Sequence, residues 1–326
     1  MLQSTGIQAV ARQSGHDLAQ WLGSLAGKES FDAVILSRPI IAAMYVEAVQ
    51  QYVDGVCAYY GHDIHHVRLA GMKEFVTGIG LNAEQREIGR IEHRLWRTMD
   101  TVFYPSSEEV DIVNAFRTGF GLEPNAVILP LWDAPETPAM IVPARARGGM
   151  LFVGSFDHAP NVDGLNWFFR EILPEVRKRG CLDRVYVVGS GMNRYQLPSD
   201  DNRIAVLGRI DDETLDELYA KVRIALVPLR YGAGVKGKVI EAMGKGVPCV
   251  TTSTGAYGID WASEVLRPFD SAQDFAWAIV RLMRDDALWQ ENSFKGLRLL
   301  SEAYERVAIS KRLFGALGLG EVSRAG

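Results

Sequence analysis

Cysteine is scarce in this chain: three residues in 326, Cys57, Cys181 and Cys249, far apart and odd in number. That excludes a disulfide framework and points to a reducing compartment. Each sits in an apolar segment, so all three read as inert core thiols. Long hydrophobic runs are also missing. The most apolar stretch, AVILSRPIIAAMYVEAV, is broken by Arg38 and Pro39, whereas a membrane-spanning helix needs about 20 apolar residues. The opening residues MLQSTGIQAVARQSG lack an apolar core of signal-peptide length, so the expectation is a cytoplasmic protein. There is no excess of positive charge. The net charge of −5 argues against a nucleic-acid partner held through its phosphates. Internal repeats and low-complexity tracts are absent as well.

What is present is an ordinary globular composition, 48% hydrophobic and 23% charged, on a length that favours two domains. Residues 8–26 have helical spacing. Short continuous apolar runs follow at 31–37, 55–61, 101–106 and 125–133, the signature of buried parallel strands. Helical segments separate them, one over 40–51, one over 82–100 with Asn82 as N-cap, and one ending at Gly119 or Gly121. Residues 134–149 are rich in Pro, Ala and Gly and read as a linker. Beyond it the alternation resumes, with a strand and loop at 150–156, a strand ending in a glycine turn at 184–191, and strands at 203–210, 223–229 and 247–252. Helices lie between them, with Asn161, and Asp211 or Asp212, as caps. The aromatic segments NWFF (166–169) and WAIVRLM (277–283) read as core. The fold class is therefore α/β, with doubly wound parallel sheets. The expected division is a first domain over 1–133, the linker, a second domain over 150–300, and a closing segment over 301–326. In such sheets ligands bind beyond the carboxyl ends of the strands.

One such end carries YGAGVKGKVIEAMGKGVPCVTTSTGAYG (231–258). Gly232 and Gly234 allow close backbone approach, and the helix that starts near Gly237 presents free N–H groups and the positive end of its dipole. Lys236 and Lys238 beside that end suit a diphosphate. Glu241, one turn on, suits the two hydroxyls of a ribose. Together these parts would hold a nucleotide diphosphate.

Residues 150–260, through VGSFDHAPNVDGLNWFFREILP, VYVVGSG and VLGRIDDETLDELYAKVRIALVPLRYGAGVKGKVIEAMGKGVPCVTTSTGAYGI, closely resemble the donor-binding domain of family 4 retaining glycosyltransferases. Residues 31–132, through YYGHDIHHVRL and RTMDTVFYPSSEEVDIV, resemble the second half of that family's acceptor domain. SEAYERVAISKRLFGALG (301–318) resembles its closing helix, which crosses back to the first domain. The resemblance implies a GT-B fold, two Rossmann-like domains facing across a cleft. It also implies metal-independent retaining transfer of a sugar from a nucleotide-diphosphate sugar, with no other cofactor, to a glycan or lipid-linked acceptor. Bacterial surface polysaccharide synthesis is the implied setting. Two departures stand out. Nothing before Phe31 supplies the βα units and glycine loop with which a full acceptor domain begins, so the first domain reads as truncated, or as completed by an upstream segment or partner chain. The family also often carries two glutamates eight positions apart; Glu241 matches the second, and the first position is Ala233.

The donor-binding candidates that follow are Gly154, Ser155, Gly189, Gly191, Arg230, Gly234, Val235, Lys236, Lys238, Glu241, Thr252, Ser253 and Gly255. The catalytic candidates are His62, Asp63, Lys236 and Lys238, with no metal. His62, Asp63, His65 and His66 form the densest polar cluster of the first domain. Three readings of it are open: a metal site, a histidine pair serving the core or surface, or a cleft role in which His62 bonds a sugar or acceptor hydroxyl and Asp63 orients it. Arg68 would bind phosphate or pair with Asp63. Arg86, Arg90, Arg94 and Arg97, interleaved with Glu87 and Glu92, form either a solvated helix face or a peripheral surface for a lipid-linked acceptor. The alternative to an enzyme is a non-catalytic nucleotide-sugar-binding or scaffolding module.

Overall fold

The computed structural model describes residues 31–72, 80–130, 140–192 and 201–320. Its backbone is organised by two parallel β-sheets. The first has the order β1-β2-β3-β4, with β1 at Ala33–Ser37, β2 at Val56–Tyr60, β3 at Thr101–Tyr104 and β4 at Ala126–Ile128. Ala33 registers with Val56, Ala58 with Thr101 and Val102 with Ala126. Parallel neighbours need a crossover. Helices α1 (Pro39–Tyr52), α2 (His65–Met72), α3 (Gly80–Thr98) and α4 (Ser107–Gly119) supply it. Strand β3 is buried at every residue, which is why TVFY reads as an unbroken apolar run. Asn82 lies inside the first turn of α3 and is not its cap, because the helix starts earlier, at Gly80. The helix expected over 8–26 lies outside the described residues.

The second sheet has the order β7-β6-β5-β8-β9, with β5 at Met150–Val153, β6 at Val185–Val188, β7 at Ile204–Gly208, β8 at Ile224–Val227 and β9 at Cys249–Thr251. After β5 the chain runs outward to β6 and β7, then returns to place β8 on the other side of β5. That reversal opens a crevice at the carboxyl ends of β5 and β8, the place where open α/β sheets bind ligands. Helix α5 (Ala159–Trp167) follows β5, passes through a π turn at Phe168–Ile172 and continues as α6 (Leu173–Lys178). Pro174 has no N–H to continue the hydrogen-bond ladder, and the π turn ends two residues before it. Phe168, Phe169, Ile172 and Leu173 all reach the core, together with Phe152 and Phe275. Burying each such side chain stabilises the fold by roughly 1.5–3 kcal/mol. Helix α10 (Ala272–Arg284) packs on the same face as α5 and α6, and around the other face stand α7 (Asp212–Lys221), α8 (Gly237–Gly244), the short α9 (Ser253–Ala256) and α11 (Asp286–Ala303). Asp211 caps α7 and Ser271 caps α10. Trp277 departs from the core expected of its segment: it is 48% exposed, with the Arg281 guanidinium 4.7 Å from its ring centroid.

The two sheets are joined on one side by helix α12 (Arg306–Ala316). Thr101 donates to the carbonyl of Ala316 at 2.9 Å, Arg312 donates to that of Ile128, and Leu317 packs with Ala58 and Phe103. Residues 140–149 are tied to the second sheet through Arg147, which donates to the carbonyls of Val142, Tyr219 and Val222. All three cysteines are buried thiols. Among the described residues no helix is long and apolar enough to cross a membrane.

The polar cluster after β2 is ordered by one buried acid. Glu92 on α3 is 0% exposed and accepts from the backbone N–H of His65 (2.8 Å) and His66 (3.0 Å) and from His66 Nδ1 (2.6 Å). From a neighbouring helix it satisfies the N–H groups that α2 leaves unpaired at its start. Glu92→Ala strands these donors and is expected to cost about 3 kcal/mol, read as a lower urea midpoint at unchanged m-value. A loss below about 1 kcal/mol contradicts this role for Glu92.

Candidate functional site

The crevice between β5 and β8 gathers most of the residues that the sequence singles out. The loop after β5 places Gly154 and Ser155 at its edge. The loop after β8 carries Gly232, Ala233 and Gly234, the first and last with φ of 139° and 72°, a backbone that side chains disfavour. Lys238, in the first turn of α8, reaches back across the crevice. Its Nζ donates to Asn161 Oδ1 at 2.7 Å and lies 4.8 Å from the Phe152 ring centroid. Asn161 Nδ2 in turn donates to the carbonyl of Ser155 at 2.8 Å. Asn161 is therefore not the N-cap of α5. His158 holds that position, and Asn161 is a buried bridge between the lysine and the Ser155 loop.

Lys236 is the N-cap residue of α8, and its Nζ donates to the carbonyls of Ala233 and Gly234. Among the described residues neither Lys236 nor Lys238 has a carboxylate within salt-bridge distance. Burial, partly offset by the charges of Asp63 and Glu109, lowers the pKa of Lys236 to about 8. Burial, reinforced by the neighbouring Lys236, lowers that of Lys238 to about 7. Two ammonium groups at the start of α8, with α5 opening nearby, form a positive, partly desolvated pocket matched to an anion. Arg68 adds to the same field, and burial together with Arg68 and the two lysines lowers the pKa of the nearby His158, favouring its neutral form.

The first sheet faces this pocket through the end of β2. His62 and Arg38 are the non-glycine residues with positive φ among those described, at 54° and 66°, conformations that cost about 1 kcal/mol or more each. The strain is held by pairing: Ser37 Oγ lies 2.6 Å from His62 Nε2, and the Tyr60 ring meets the imidazole edge-on. Burial, with the charge of Arg38, lowers the pKa of His62 and favours its neutral form. Asp63 is buried and paired with Arg68 at 3.0 Å and His65 at 3.0 Å. A Cβ on Gly234 would stand 2.8 Å from Asp63 Cβ, so the glycine lets the loop after β8 rest directly on the His62–Asp63 turn. Among the described residues no group of three His, Cys, Asp or Glu side chains has metal-binding geometry.

The remaining candidates fall around this centre. Gly189 packs beneath it, where a Cβ would meet the carbonyl of Gly154 at 1.8 Å; Gly191, at φ 77°, faces Asp157. Glu241 sits one turn beyond Lys238, hydrogen-bonded by Tyr219, with its pKa raised by burial. Val235 packs into the second core. Arg230 forms a two-pronged ion pair with Asp163. Thr252 caps α9 and donates to the carbonyl of Leu229, Ser253 is held by Asp270, and Gly255 makes room for Thr251 Oγ1. These last side chains shape the loop that flanks the crevice.

A lysine with a depressed folded pKa has a sign that can be measured. The unfolded chain keeps the Lys238 proton to about 10.5 and the folded chain to about 7, so between those values the unfolded state binds more protons and stability rises with pH. Lys238→Met removes the buried charge. It is expected to stabilise the ligand-free protein by on the order of 1 kcal/mol at pH 6.5, and by less at pH 9.5. Equal effects at both pH values in chemical denaturation contradict the depressed pKa.

Part of the chain that builds this geometry is similar to known proteins. Residues 147–285 match the family model described as "Glycosyl transferases group 1". A 44.6 kDa protein in the cps region of Klebsiella pneumoniae is 27% identical over 176 residues, 52% of this chain and 44% of that protein. Among solved structures, an S. aureus TarM mutant in complex with Fondaparinux, alpha-GlcNAc-glycerol and UDP aligns at a TM-score of 0.66 with 14% identity, over 91% of this chain and 58% of its own. An E. coli trehalose-6-phosphate protein bound with UDP-2-fluoro glucose aligns at 0.68 with 9% identity, over 93% and 77%. The chain thus spans about half the length of the first relatives it matches. Its pair of parallel sheets has the GT-B fold, and the segment that builds the crevice, residues 147–285, carries the match to the glycosyl transferases group 1 family.

Proposed function

We propose that this protein is a retaining, metal-independent glycosyltransferase that moves a sugar from a nucleotide-diphosphate sugar to an acceptor hydroxyl. The observation that carries the reading is the Lys238–Asn161–Ser155 chain at the topological switch point, with Lys236 beside it. This is an anion site inside the segment that matches the family model. In this reading the diphosphate lies between the Gly154–Ser155 loop and the start of α8, and Glu241 takes the ribose hydroxyls. The nucleoside rests over the Gly189–Gly191 loop, flanked by 252–255. The two sheets correspond to an acceptor-side and a donor-side domain.

In the reaction the bond between the anomeric carbon and the diphosphate oxygen breaks as the acceptor oxygen attacks from the same face. The departing diphosphate takes the acceptor's proton. Negative charge grows on the diphosphate, and Lys236, Lys238 and the N–H groups of α8 face it. Lysine charge then does the work a divalent cation does elsewhere. His62, neutral and fixed by Ser37, offers a hydrogen bond to a hydroxyl of the sugar or acceptor, and Asp63 with Arg68 frames the same wall. The UDP ligands of the structural neighbours support a nucleotide donor. The cps region of the Klebsiella pneumoniae relative is in keeping with a setting in bacterial surface polysaccharide synthesis, and the same proposal takes a glycan or lipid-linked acceptor at the cytoplasmic side.

A thermal-shift panel of UDP-, GDP-, ADP- and dTDP-sugars tests the reading. A binder present at one hundred times its Kd adds about 2.7 kcal/mol of stability. One nucleotide is expected to raise Tm, with the shift lost in Glu241→Ala. Once that donor is known, Lys238→Met is expected to lower kcat by about 10²-fold or more. No shift with any nucleotide contradicts the reading. Binding without sugar transfer, assayed with acceptor-bearing membranes, points instead to a non-catalytic module.

A further inference from the structure

Glu109 is a buried carboxyl that the proposed chemistry leaves unused. It stands in the first turn of α4, 1% exposed, three residues after the N-cap Ser106. The Ser106 hydroxyl accepts from the Glu109 N–H and donates to Oε2 at 2.8 Å. Oε1 has no hydrogen-bond partner. A glutamine oxygen would accept the same Ser106 hydroxyl, and a buried unpartnered carboxylate oxygen costs free energy. Capping alone therefore does not account for an acid here.

The charge that answers it comes from the other sheet. Ser106 Cβ and Val235 Cγ2 each lie 2.8 Å from the place a Cβ on Gly258 would occupy, so the capping turn and the loop before Lys236 meet on that glycine. The adjacent Tyr257 ring centroid is 5.8 Å from Lys236 Nζ. Lys236 is drawn electrostatically to Asp63 and Glu109 and repelled by Arg68. Burial disfavours the Glu109 carboxylate, the Ser106 hydroxyl favours it, Asp63 repels it, and the Ile64 backbone N–H and then Lys236 favour it. The other titratable neighbours are Lys238 beside Lys236, and Tyr60, Tyr104 and Tyr257 around Glu109.

We propose that Glu109 is a positioning residue for Lys236: its carboxylate, held behind the cleft by the first sheet, keeps the second sheet's ammonium protonated and seated for the diphosphate. The idea rests on the reading of Lys236 as a diphosphate contact. It makes nucleotide affinity depend on the first sheet, although no atom of Glu109 touches the ligand. Burial raises the Glu109 pKa to about 7 and lowers that of Lys236 to about 8, so near neutral pH the charge on each depends on the other.

The test is calorimetric Kd from pH 6 to 9 on the full chain, with whichever of UDP, GDP, ADP and dTDP binds. For the parent, affinity falls as pH rises through the lysine titrations, because the bound anion favours protonated lysine. Glu109→Gln keeps the Ser106 hydrogen bonds and removes the charge. The upper titration step is expected to move down by on the order of 1 pH unit, with affinity at pH 6 retained. In a Lys236→Met background that step is gone, and Glu109→Gln then adds nothing. A step that stays at the parental pH in Glu109→Gln, or a loss of affinity equal at all pH values, overturns the proposal while leaving the nucleotide site standing. Absence of binding by all four nucleotides at every pH overturns both.

Discussion

Two lysine ammonium groups placed in a part-desolvated crevice, and hydrogen-bonded directly by amide and carbonyl oxygens with no carboxylate in contact, are the constraint around which the rest of the site is arranged. Lys238 leans on Asn161 and Lys236 on the carbonyls of Ala233 and Gly234. Neutral partners orient a cation without cancelling it, so the field that burial makes costly is left available for an anion. This is why the depressed lysine pKa values and the affinity proposed for a diphosphate are one property seen from two sides. The crevice exists because the strand order reverses between β5 and β8, which parts the loops at their carboxyl ends.

The first sheet completes the arrangement through close backbone contacts that side chains would block. Gly234 rests on the His62–Asp63 turn and Gly258 on Ser106. Both are glycines of the second half with positive φ, and both seat a loop of that half on a polar turn of the first. The return of α12 onto β3 and β4 holds the pair from the far side. His62, strained and bonded to Ser37, is then a fixed feature of the wall opposite the lysines, not a mobile surface histidine.

Much of this was legible in the chain, for a physical reason. Parallel strands buried on both faces must be continuous apolar runs, so MLFV, VYVV and IALV announce themselves, and Asp211 and Ser271 cap helices by local chemistry that depends on near neighbours in sequence. The glycine–lysine loop was legible because its φ demands and its charge both lie in one short segment. What sequence left hidden is tertiary. Asn161 looks like a cap until Lys238, 77 residues away, is seen to claim its side chain. Arg230 looks free to meet a phosphate until Asp163 pairs with it. Glu92 looks like part of a charged stripe, yet is 0% exposed and organises α2. Glu109 is readable as a capping-box acid from Ser106-x-x-Glu109, but its approach to Lys236 depends on how the two sheets meet.

The most direct test of the account is a crystal structure of this protein soaked with the nucleoside diphosphate that binds it. The account predicts phosphate density between the Gly154–Ser155 loop and the start of α8, within hydrogen-bond distance of Lys238 Nζ, with the ribose beside Glu241. Density for the nucleotide elsewhere, with Lys238 still bonded only to Asn161, would contradict it.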